Sequence, residues 1–255
     1  MSRPSLCGAL AAEVLKLRGT LAAWMCVIAP VLVVLVYVLQ MSLVNLPGGV
    51  AATPEEAWSS FSQSVLVLWS LLMLPLFVTL QSALLAGLEH GNRQWKYLLA
   101  LAVPRRNHYL AKGLVMLGML LLASAVLAVL VPLGGWLLLS VRPEVGLAGA
   151  PPWGLLLSQI GAILAAAGLM TALQLWISLR WASFSVAVGV GMAATVAGFL
   201  IGQSQRFGPF FPWSMPLNTL ANDGEKMLWI AGAGLAGFLL AGTVALIDLL
   251  RRTAD

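Results

Sequence analysis

Six apolar runs, each long enough to cross a bilayer as a helix and almost free of charge, dominate this 255-residue chain. They fall at about 21–43, 63–86, 113–139, 154–179, 184–203 and 227–249. A hydrocarbon core about 30 Å thick needs about 20 helical residues to span it. An open sheet there would leave backbone groups unpaired at several kcal/mol each. The runs therefore predict an all-α, polytopic membrane protein with six transmembrane helices, forming one domain over residues 1–255. Only 9% of the residues are charged, against about 25% in soluble domains, so lipid rather than water must solvate most of the surface. The first run, 21–43, is too long for the apolar part of a cleavable signal peptide.

The few charges set the orientation. With the N-terminus inside, the cytoplasmic segments hold Arg3, Lys16, Arg18, Arg93, Lys96, Arg105, Arg106, Lys112, Arg180, Arg251 and Arg252. The outer loops hold Arg142, Arg206 and Lys226, together with the acids Glu55, Glu56, Glu144, Asp223 and Glu225. Basic residues gather on the cytoplasmic side of membrane proteins, so both termini are expected there, in a bacterial cytoplasmic (inner) membrane. The net charge of +5 is scattered beside apolar runs and forms no basic face for nucleic acid. The Pro/Gly-rich stretches Asn45–Pro54, Val141–Pro152 and Gly208–Pro216 read as plain connections.

Several chemistries lack their residues. Cys7 and Cys26 have neither metal-ligand nor disulfide spacing. His90 and His108 share one cytoplasmic segment, no HExxH or intramembrane haem pair exists, and Glu55-Glu56 lacks the partners of an intramembrane protease. No GxxxxGK[ST] phosphate loop is present. Acids inside the runs, which ion-coupled carriers use, are absent apart from Asp248 beside Arg251 and Arg252. The chain thus reads as neither an enzyme nor a self-powered pump.

The runs do carry amides, and Gln40, Gln63, Gln81, Gln159 and Gln174 are either interhelical hydrogen-bonding groups or a weakly polar translocation path. Pro30, Pro75 and Pro132 are expected to kink their helices. Gly198 and Gly202 form a small-xxx-small pair, and Gly161, Gly168, Gly189, Gly191, Gly232, Gly234 and Gly237 add further small surfaces for close helix packing within the chain or between copies.

The segment from Gln81 to Lys112 is the most informative. Gly91 and Asn92 should interrupt the second helix, with Asn92 capping a short one over Arg93–Ala102. In it Trp95, Leu98, Leu99 and Ala102 share an apolar face, edged by Arg93, Gln94 and Lys96, and Pro104 ends it before Arg105 and Arg106. Such a helix either lies in the interface, anchored by Trp95 and Tyr97, or docks into a groove of a soluble partner.

Gln81, Glu89, Asn92, Gln94, Trp95, Lys96, Pro104, Arg105 and Lys112 together resemble the pattern of type-2 ABC exporter permeases, particularly the bacitracin-resistance and lantibiotic-immunity group. The opening Glu13-Val-Leu-Lys16-Leu-Arg18-Gly-Thr20 with Trp24 and Pro30, and the loop Phe211-Pro212-Trp213-Ser214-Met215-Pro216, are similar to the same group. The resemblance covers essentially the whole chain. It implies a permease whose ATPase-coupling segment comprises Glu89, His90, Asn92, Arg93, Gln94, Trp95, Lys96, Tyr97, Leu98, Leu99, Pro104, Arg105 and Arg106. It also implies an interfacial elbow helix over Leu6 to Arg18, carrying Glu13, Lys16, Leu17 and Arg18. In it Leu6, Leu10, Val14 and Leu17 are expected to share one face, with Glu13 close to that stripe and paired to Lys16 at i+3. The implied partners are a P-loop ATPase in two copies, which holds the ATP and Mg that this chain does not, and a second permease copy, identical or related. The expected cargo is an amphipathic peptide, antibiotic or lipid-like molecule. The alternatives are an ATP-independent carrier or channel and a membrane scaffold without transport activity.

Overall fold

The computed structural model describes residues 6–43, 53–90, 104–181, 183–221 and 224–251, with backbone only at 88–90. No strand occurs among them. Helix α1 (Leu6–Lys16) closes in a turn where Gly19 has φ +72°, a left-handed conformation that side chains disfavour. The Thr20 hydroxyl donates to the Leu17 carbonyl at 2.7 Å across that turn. Helix α2 (Leu21–Leu43) follows, over the same residues as the first apolar run.

The second membrane helix begins at Pro54, earlier than its apolar run. Thr53 and Glu56 form a reciprocal capping box, with Pro54 in the first turn. These polar first turns belong to the helix although hydropathy does not register them. Helix α3 (Pro54–Leu68) passes through a π turn, Trp69–Met73, into α4 (Leu74–His90). In that turn the Leu74 N–H reaches back to the Trp69 carbonyl. Pro75 lacks an N–H and its ring would collide with the Leu71 carbonyl in a regular helix. A widened turn just before it relieves that conflict, so the expected kink takes the form of a π turn.

Helices α5 (Arg105–Val141), α6 (Trp153–Arg180), α7 (Phe184–Gly202), the short α8 (Met215–Asn218) and α9 (Gly224–Arg251) follow, with 3-10 turns at Pro143–Val145 and Gly208–Phe210. Among the described residues six helices are long and apolar enough to cross a membrane: α2, α3–α4 taken as one, α5, α6, α7 and α9. The stretch expected to be a plain connection before α9 is instead a packed cap. Trp213 and Met215 are buried in it, as is Leu220 just after it, and the Ser214 hydroxyl donates to the Gly208 carbonyl at 2.7 Å.

Contacts between helix ends show that successive spans alternate in direction. At one end, the near end, Gln81 late in α4 meets Ala22 early in α2. There, too, Gln174 late in α6 meets Ala187 early in α7, and Ala86, Leu179, Leu249 and Tyr109 pack together. At the far end the Arg142 guanidinium caps the Met41 carbonyl at 3.1 Å. The core lies around α3–α4, where Trp58, Val65, Leu66, Trp69 and Phe77 are buried against Met116, Leu120 and Leu127 of α5. The apolar windows of α7 and α9 are only 22% and 17% buried, so these two helices are peripheral and present wide apolar faces.

Glycine brings α9 against α6. A methyl group on Gly234 would lie 2.5 Å from the Ala166 Cα and 2.6 Å from the Ala165 carbonyl oxygen, and Gly168 faces Gly234 in return. Gly198 packs on Trp213, and Gly191 on Thr79. These four glycines therefore serve packing within the chain.

Candidate functional site

The charged centre of the near end is assembled from three helices. Glu13 of α1 is 2% exposed and Lys112 of α5 is completely buried. A buried charge is tolerable only when paired and hydrogen-bonded. Lys112 Nζ lies 3.1 Å from Glu13 Oε2 and donates to the Leu85 carbonyl of α4 at 3.3 Å. The other carboxylate oxygen, Glu13 Oε1, accepts from Lys16 Nζ at 2.6 Å. Burial works against the charged carboxylate, but Lys112 and then Lys16 outweigh it, and the Glu13 pKa lies below its ordinary value of 4.5.

One ammonium thus ties α1 to both stems of the segment that joins α4 to α5. Leu85 stands near the end of the first stem and Lys112 on the second turn of the other.

The anticipated Glu13–Lys16 pair is present, and α1 turns one face into the protein. Ala9, Glu13 and Leu17 face inward, with Leu6, Leu10 and Lys16 half-buried, whereas Val14 is 50% exposed. The helix is rotated so that Glu13 reaches Lys112, which leaves Val14 and Leu15 facing outward. Arg18 is exposed in the turn after α1.

Of the coupling residues, Pro104, Arg105 and Arg106 open α5 and are exposed. Glu89 and His90 end the α4 backbone. Asn92, Arg93, Gln94, Trp95, Lys96, Tyr97, Leu98 and Leu99 lie outside the described residues.

The five glutamines are not brought into one file. Gln81 and Gln174 are fully buried at the near end, where their amides donate to the carbonyls of Ala22 at 2.7 Å and Ala187 at 2.8 Å. Each clips the end of one span to the start of another. Their own carbonyl oxygens have no partner among the described residues. Toward the far end, Gln63 donates to the Leu220 carbonyl at 3.1 Å, Gln159 is half-buried, and Gln40 is exposed.

Sequence reasoning placed Lys112 in the family pattern and the basic tally, and missed its burial. The signal was present in the register. Lys112 shares the face of Val115, Met116 and Met119, all buried, and a lysine on a core-facing stripe demands an acid nearby. Asp248 was read beside Arg251 and Arg252. It accepts from Trp176 Nε1 at 3.0 Å and pairs with Arg180 at 3.2 Å.

Comparison with known proteins places this arrangement. Residues 9–198 match the family described as ABC-2 family transporter protein, from within α1 to the last turns of α7. No curated protein and no solved structure matches the chain. The chain belongs to the ABC-2 transporter family, the multi-pass membrane subunits of ABC transporters.

Proposed function

We propose that this chain is the membrane subunit of an ATP-driven exporter, fuelled by a separate P-loop ATPase that docks on its cytoplasmic segment Arg93–Leu101. The near end faces the cytoplasm of a bacterial inner membrane. Its basic residues Lys16, Arg18, Arg105, Arg106, Lys112, Arg180 and Arg251 against Arg142, Arg206 and Lys226 at the far end support that orientation. Two permease copies act with two ATPase copies, and the cargo is an amphipathic peptide, antibiotic or lipid-like molecule, in keeping with the resemblance to bacitracin-resistance and lantibiotic-immunity permeases.

The observation that carries this reading is the anchorage of the docking segment. Its two stems are joined by the buried Lys112 ammonium, which also holds α1 through Glu13. ATP binding on the partner moves the segment, and the anchored stems transmit that motion to α4 and α5 as a rigid-body change. Trp95 is the apolar anchor in the ATPase groove. Within the chain, Glu13, Lys16, Leu17 and Arg18 position α1 at the membrane surface.

Affinity purification of the tagged chain from membranes tests the proposal. A co-purifying P-loop ATPase, stimulated by an amphipathic cargo after reconstitution, is the expected result. Transport that persists without any ATPase would establish a self-sufficient carrier, and absence of any cargo response would establish a scaffold.

A further inference from the structure

An outward-facing apolar groove of about 300 Å³ runs between α5, α6 and α9 at the near end. Its walls include Tyr109 and Leu114 of α5, Leu175 and Trp176 of α6, and Phe238 and Leu246 of α9. That volume lies at the lower edge of ordinary ligand sites. Along α9 the lining extends from Phe238 to Leu249, a rise of about 16 Å. This is close to half of a hydrocarbon core about 30 Å thick, so the groove has the length of one leaflet.

Its depth in the bilayer follows from aromatic side chains. Trp136 and Trp153 are exposed toward the far end, and Trp181 is exposed at the near end beside Trp176, the two rings in edge contact at 5.8 Å. From Tyr109 to Trp136 along α5 is about 40 Å, the thickness of a bilayer with its headgroup layers. Exposed aromatics mark those layers, so the mouth of the groove lies at headgroup depth.

The mouth is positively charged. Arg105 and Arg106 stand one turn before Tyr109 and Leu110, Arg180 follows Leu179, and Arg251 follows Leu249 by two residues. Asp248, bonded to Arg180 and Trp176, is the acid on these turns among the described residues, and Arg106 and Arg251 stand exposed beside it. Basic pockets between transmembrane helices select anionic headgroups.

We propose that this groove binds one acyl chain of an anionic phospholipid from the near-end leaflet, with its phosphate at the arginine rim. Tail and headgroup are recognised separately, by the apolar walls and by the arginines. The site lies across α5 from the Lys112–Glu13 cluster and would let membrane composition set the packing of α5 against α9.

The test uses the full chain in vesicles of phosphatidylethanolamine with a minority of phosphatidylglycerol. Trace photoactivatable phosphatidylglycerol is compared with phosphatidylcholine carrying the same tails. Gly113 and Gly242 line the groove, and a Cβ added at either meets no atom within 4 Å, so Gly113→Leu and Gly242→Leu are the substitutions chosen to fill it. The wild type should be labelled preferentially by phosphatidylglycerol on α5, α6 and α9 between the lining residues. The filling substitutions should abolish that label, and Arg105→Gln with Arg106→Gln should lower the preference on the order of tenfold. Equal labelling by both lipids, unchanged by filling the groove, would overturn the proposal in favour of ordinary boundary lipid. Efficient disulfide pairing between two copies of Gly242→Cys in the same vesicles would overturn it in favour of a second copy covering the groove.

Discussion

Lys112 of α5 and Glu13 of α1, separated by 99 positions in the chain, form a buried ion pair at 3.1 Å, with the Leu85 carbonyl of α4 as a third member. Desolvating two charges is costly, and their attraction offsets that cost only while both partners are present. The pair is therefore weak evidence for stability and stronger evidence for a specified arrangement of α1 against the two stems.

Single removal should be severe. Lys112→Met strands the Glu13 carboxylate in an apolar setting and is expected to destabilise the protein by about 3–5 kcal/mol. The joint variant Glu13→Leu with Lys112→Met should regain most of that loss in thermal unfolding in detergent, yet show weakened coupling between ATP hydrolysis and transport. A joint variant with full coupling would reduce the pair to a packing element.

Glu13 also predicts a pH dependence. Its folded pKa lies below the ordinary 4.5, so the folded state favours the ionised form and its contribution is fully present above about pH 4.5. That contribution is lost as pH falls from there through the lowered folded value. The stability difference between wild type and Glu13→Gln should thus be constant near neutrality and shrink below pH 4.5. A difference that grew on acidification would contradict the depressed pKa.

Glycines 234 and 232 provide a matched pair. A Cβ at Gly234 meets the α6 backbone at 2.5 Å, whereas one at Gly232 meets nothing within 4 Å. Gly234→Val should cost at least about 1–3 kcal/mol through overpacking and separate α9 from α6. Gly232→Val should leave unfolding close to wild type. Equal effects would show that the α6–α9 seam is not packed through Gly234.

How much of this was legible before the structure varies with the physics involved. The first span was read to the residue, because an uninterrupted apolar run ended by turn residues has one helical solution in lipid. The second span started nine positions early, because a capping box can begin a helix in polar sequence that hydropathy ignores. The Glu13–Lys16 pair followed from its i+3 spacing, but the burial of Glu13 did not, because the apolar stripe of α1 carries no sign of the Lys112 ammonium on a distant helix. That lysine counted as a topology marker, although its register with Val115 and Met116 already pointed into the core. The groove was invisible in sequence, because it exists only where three distant helices diverge.

The central claim is that a separate ATPase drives this chain through Trp95, and coupled ATPase activity of the reconstituted complex tests it most directly. Trp95→Ala, at equal membrane levels, should weaken ATPase docking by about 2 kcal/mol or more, on the order of thirtyfold, with transport falling alongside. Undiminished cargo-stimulated ATP hydrolysis and transport in that variant would contradict the account.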